Sequence, residues 1–97
     1  MFILTDDLSE DFFRSMGCVI ASTNDLTVRN LLEFAKCFYI HIRQQNIADL
    51  ISHQLDLKIE VKKDPFPINI LVGQYNIIAT VKLNQLKNSL EFHLIHF

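Results

Sequence analysis

Two glycines in 97 residues are too few for a phosphate-binding loop of the usual kind, and neither stands in a GxGxxG or GxxxxGK pattern. HExxH and GxSxG are likewise missing, so the common signatures of metalloprotease and α/β-hydrolase chemistry are not here. The two cysteines, Cys18 and Cys37, form no CxxC pair and have no histidine at ligand spacing. They read as reduced, buried thiols of a cytoplasmic protein, with a single Cys18–Cys37 bridge as the alternative. No apolar run reaches membrane-spanning length, and the short patch Phe2-Ile3-Leu4 lacks the basic lead-in of a signal peptide. Basic residues are not in excess either. Nine Lys and Arg stand against eleven Asp and Glu, which argues against a nucleic-acid partner and against a membrane surface.

What is present is apolar and regular. Hydrophobic residues make up 49% of the chain, eight of them phenylalanine, and only two prolines interrupt it. That is enough for one globular domain spanning residues 1–97 to bury its own core without disulfide or metal support.

Charge is divided unevenly. Residues 1–25 carry Asp6, Asp7, Glu10, Asp11 and Asp25 against Arg14 alone, a local charge of −4, which leaves +2 for the rest of a chain whose net charge is −2. Thr5 can cap a helix with Asp6 and Asp7 in its first turn, where the helix dipole favours them. Leu8, Phe12 and Met16 share one face of that helix, and Gly17 is placed to end it. Cys18–Ala21 is either a short strand or a buried connector.

Ser22–Arg43 holds the longest apolar run at helical spacing. Val28, Leu31, Leu32, Ala35, Phe38, Tyr39 and Ile42 fall on one face, and Ser22 with Asp25 resembles a capping box. Ile47, Leu50 and Ile51 lie a quarter-turn away from that face. An unbroken helix to His53 would also be about 40 Å long, so a break is expected at Gln44–Asn46.

From Leu55 the period becomes two. Leu55, Leu57, Ile59 and Val61 alternate with charged residues, Ile68–Val72 begins a second strand, Gly73-Gln74 suits a hairpin turn, and Tyr75–Leu83 and Leu90–Phe97 complete the set. The fold expected is α+β: N-terminal helices packed on one face of a four-stranded antiparallel meander sheet, in two layers.

Chemistry has few carriers. Glu91 and His93 share a strand face and could form a metal site only with His41 or His53, while Cys37 and His41 lie one helical turn apart without a third, orienting group. Leu90, Phe92 and Leu94 are expected to face the core, which turns Glu91 and His93 toward a face without a helix. No catalytic residue, metal or cofactor is therefore assigned, and the protein is read as not an enzyme.

Function then falls to surfaces. Phe34, Cys37 and Ile40 lie outside the helical stripe, and Ile95 and Phe97 oppose Phe92 and Leu94, so both elements are apolar on two sides. The last strand, taken as a sheet edge, has only Glu91 as a charge against foreign pairing. The expected function is a small protein-binding module that occupies a partner, as an immunity protein or antitoxin does. Asp6, Asp7, Glu10 and Asp11 would meet a basic partner such as a nuclease toxin, while Phe34, Ile40, Ile95 and Phe97 would supply apolar contact. The alternative is a homodimer or larger homo-oligomeric structural subunit; a small ligand- or metal-binding domain ranks third.

Overall fold

The computed structural model describes residues 1–71 and 76–96. In chain order these form β1 (Phe2–Thr5), α1 (Glu10–Ser15), β2 (Val19–Thr23), α2 (Asp25–Phe34), β3 (Phe38–His41), α3 (Gln45–Leu55), a 3-10 turn (Ile68–Leu71), β4 (Ile77–Asn84) and β5 (Ser89–His96). The strands make one five-stranded sheet in the order β2-β5-β4-β1-β3. β1 runs parallel to both β3 and β4, while β5 runs antiparallel to β4 and β2. The protein is α+β, as expected, but its sheet is mixed and five-stranded, and the antiparallel meander is overturned.

The largest departure lies in Ser22–Arg43. Ser22 belongs to β2, and Asn24 rather than Ser22 caps α2, its side chain accepting the Thr27 N–H. The helix ends at Phe34, and Ala35 turns extended. Phe38, Tyr39 and Ile42 sit at helical spacing but inside a run of aromatic and β-branched residues, and the free edge of β1 offers that run a parallel partner. Apolarity on both sides, which looks excessive on a helix, is what a strand covered on both faces requires.

The strand register lines up rows of side chains across the sheet. On one face Ala21, Leu94, Ala79, Leu4 and Ile40 stand side by side. Leu94, Ala79, Leu4 and Ile40 of this row pack with Val28 of α2 and with Ile47, Ala48, Ile51 and Leu55 of α3. On the other face the row is Ile20, Ile95, Ile78, Ile3 and Tyr39, covered by Phe13 of α1 and by Phe66. Helices therefore lie on both faces, because successive residues of each central strand are apolar.

The C-terminal half corrects three further expectations. Leu57, Ile59 and Val61 do turn inward against the helical core, but only Val61 bridges to the sheet, at Ile42. Ile68–Leu71 is a 3-10 turn, with the Ile70 N–H bonded to the Pro67 carbonyl, instead of a strand. The Gly73-Gln74 turn lies outside the described residues. β5 is as expected in extent but is an interior strand, so the unprotected edge does not belong to it. Among the described residues no helix is long and apolar enough to cross a membrane.

Candidate functional site: an acidic cleft beside the parallel strands

Two residues along the strands from the isoleucine row, the register makes a second row on the same face, and this one is polar: Ser22, His93, Thr80, Thr5 and His41. It lies at the carboxyl ends of β1 and β3, where open α/β sheets place their ligands. The chain leaving β1 folds over this row. Thr5 does not cap a helix; its hydroxyl accepts the Asp7 N–H at 3.0 Å and tightens the turn, and Ser9 caps α1 instead.

The turn is then fixed by its own carboxylates. Asp6 accepts the Arg43 and Gln44 N–H groups at 2.8 and 3.0 Å, holding the chain where α3 begins. Asp7 accepts the Phe66 N–H at 2.6 Å and lies 3.5 Å from the Arg43 guanidinium. His41 is buried; its Nε2–H donates to the Asp64 carbonyl at 3.0 Å, which leaves Nδ1 to accept from the Tyr39 hydroxyl at 2.8 Å.

Glu10 is the hub of the opposite side. Its carboxylate lies 3.3 Å from both Lys82 Nζ and Arg14 Nη2 and 3.4 Å from His93 Nδ1. Burial alone would raise the Glu10 carboxyl, but the Lys82 hydrogen bond, with the charges of His93, Lys82 and Arg14, outweighs it and holds the group below its ordinary value. His93 Nδ1 is buried without a hydrogen bond, near enough to Glu10 for ion pairing but not aligned for donation. The face carrying Glu91 and His93 is thus the one opposite Phe92, as parity requires, but it is not bare: Glu10, at the start of α1, reaches His93 there.

Asp6, Asp7, Glu10 and Asp11 all line one cleft of about 470 Å³, together with Ser9, Arg14, Thr80 and Lys82. Asp11 is the open one, with its side chain 94% exposed and Arg14 at 3.7 Å. Thr80 is buried as a residue, lines the cleft and makes no hydrogen bond through its side chain among the described residues.

The other expected contact residues do not join this cleft. Phe34 is 84% exposed at the end of α2 and borders a separate apolar groove with Leu31, Ala35 and Ile77. Ile40 is partly buried against the helical core, and Ile95 is a core residue, 5% exposed within the isoleucine row. Phe97 lies outside the described residues. His93 and His41 stand three strand spacings apart, about 14 Å, and His53 rides on α3 on the other face, so the trio with Glu91 does not converge. Among the described residues no three His, Cys, Asp or Glu side chains gather for a metal. Cys18 and Cys37 are both free thiols, but only Cys18 is buried as expected; Cys37 is exposed, and because it stands ahead of a strand its helical pairing with His41 disappears.

Lys82, Arg43, Thr80 and His93 were not legible as partners of the acidic segment. Thr5, Thr80 and Ser22 are polar interruptions in apolar strands, a visible signal, but only the register puts them in one row. A comparison with protein-family models found none that matches this chain, and a comparison with curated proteins found no similar sequence.

Proposed function

We propose that the protein is a cytoplasmic binding module, without turnover of its own, that occupies a basic partner protein through the cleft beside α1. The observation that carries this reading is that four carboxylates from one short stretch line a single cleft. Asp6 and Asp7 spend oxygens on backbone N–H groups, yet each carboxylate has further acceptor capacity. Against those four carboxylates the lining offers two cations, Arg14 and Lys82, both paired to Glu10, and Arg43 stands beside Asp7 from outside the lining. The cleft therefore suits a lysine or arginine side chain entering from a partner, gaining association rate and selectivity from opposed charge. A nuclease with a basic active site, neutralised by an immunity protein of this kind, is the finest form of the proposal. Capture of partners from the native host on the intact protein, repeated with D11N and E10Q, tests it. A basic protein whose retention falls with either variant and with rising salt is the expected result. Recovery of no partner, or of one indifferent to both variants, overturns it.

A further inference from the structure

The sheet has two edges, and they differ. The outer side of β3 is closed at one end, where Val61 bridges Ile42 and the Lys62 N–H donates to the Ile42 carbonyl at 2.8 Å. Among the described residues β2 pairs with β5 on one side and with no strand on the other. Its sequence, Val19-Ile20-Ala21-Ser22-Thr23, has none of the devices that natural edges use against foreign pairing: no charge, no proline and no inward lysine. Val19 is 65% exposed, and the exposed Met16 and Leu26 flank the two ends of the strand.

We infer that the free edge of β2 is the contact for a second copy of this chain. An antiparallel pairing of β2 with itself has its two-fold axis at Ala21, and it sets Val19 opposite Thr23, Ile20 opposite Ser22 and Ala21 opposite its own copy. No pair in that ladder opposes like charges, so the strand is complementary to itself, as an isologous contact demands. The alternation of the two faces carries across the axis. Ile20 and Ser22 of both copies fall on the side of α1, and Val19, Ala21 and Thr23 on the side of α2, giving one continuous ten-stranded sheet.

A five-residue ladder alone buries less than the roughly 1,200 Å² of a stable interface. Closing the contact thus draws on Met16, Val19 and Leu26, apolar residues that the fold leaves 47%, 65% and 61% exposed. The acidic cleft takes its lining from the loop after β1, from α1 and from β4, and none from β2, so the dimer leaves two clefts open. This inference is independent of the partner proposed for the cleft.

Sedimentation of the intact protein across concentration tests it, with two double variants at exposed or half-exposed edge positions. The wild type is expected to dimerise. V19K/T23K opposes like charges at both symmetry-related pairs and should weaken dimerisation by about tenfold or more, with circular dichroism unchanged. V19K/T23E places opposite charges in the same pairs and should restore it. A wild type that stays monomeric at its highest soluble concentration overturns the inference. So does a V19K/T23K variant that dimerises as well as wild type, or a V19K/T23E variant no better than V19K/T23K.

Discussion

Asp6 holds Gln44: the carboxylate accepts the Gln44 N–H at 3.0 Å across 38 positions of sequence, and its other oxygen accepts the Arg43 N–H at 2.8 Å. Gln44 is the N-cap of α3 but offers no side-chain cap of its own, so the residue just after β1 secures the entry to a helix on the far side of the chain. The same bonds fix the floor of the acidic cleft.

Replacing Asp6 by alanine removes two hydrogen bonds from a charged acceptor at a half-buried position. A loss of about 1–2 kcal/mol of stability is expected, read by urea denaturation. D6N, which keeps one acceptor oxygen, should fall between the two. A D6A variant as stable as wild type would mean that the clasp contributes nothing and that α3 is held by its apolar face alone.

Acid should act on the protein through Glu10. Its carboxyl is held below the ordinary value of 4.5, so the unfolded chain binds its proton more readily than the folded one. The stabilisation is fully present above that ordinary value and is lost as pH falls through the lower, folded value. Melting temperatures followed downward from pH 7 should therefore drop less steeply in E10Q than in wild type below about pH 4.5. Identical acid limbs in the two proteins would show that the contacts to Lys82, Arg14 and His93 contribute no net stabilisation to the charged form.

Phe34 and Ile95, both expected to supply apolar contact to a partner from separate elements, should separate on mutation. F34S removes a ring that is already 84% exposed and should change stability by no more than about 0.5 kcal/mol. I95A opens a hole between Ile20, Ile78 and the residues beneath α1 and should cost about 2–5 kcal/mol. Equal effects of the two replacements in thermal denaturation would contradict the placement of Ile95 in the core.

Residue types and local spacing were enough for several elements. Apolar runs rich in β-branched and aromatic residues, set apart by the loop between Asn84 and Ser89, mark β4 and β5. Gly17 at the end of α1 shows itself by position, and its φ of +81° confirms the left-handed turn. The clustering of Asp6, Asp7, Glu10 and Asp11 is visible before any fold is known, and these residues do share a cleft.

Pairing decided the rest. Phe38–His41 satisfies both periods, 3.6 and 2.0, and only the open edge of β1, which offers unpaired backbone groups, tips it to strand. Leu55–Val61 alternates as well as any strand, yet among the described residues it finds a bridge partner only at Ile42, since α3 ends at Leu55 and the chain then runs past the helical core. The polar row from Ser22 to His41 joins five segments whose mutual register no local pattern contains. Register is a property of backbone hydrogen bonds between distant strands, and with it the fold alone set Glu10 beside His93 and left β2 at the edge.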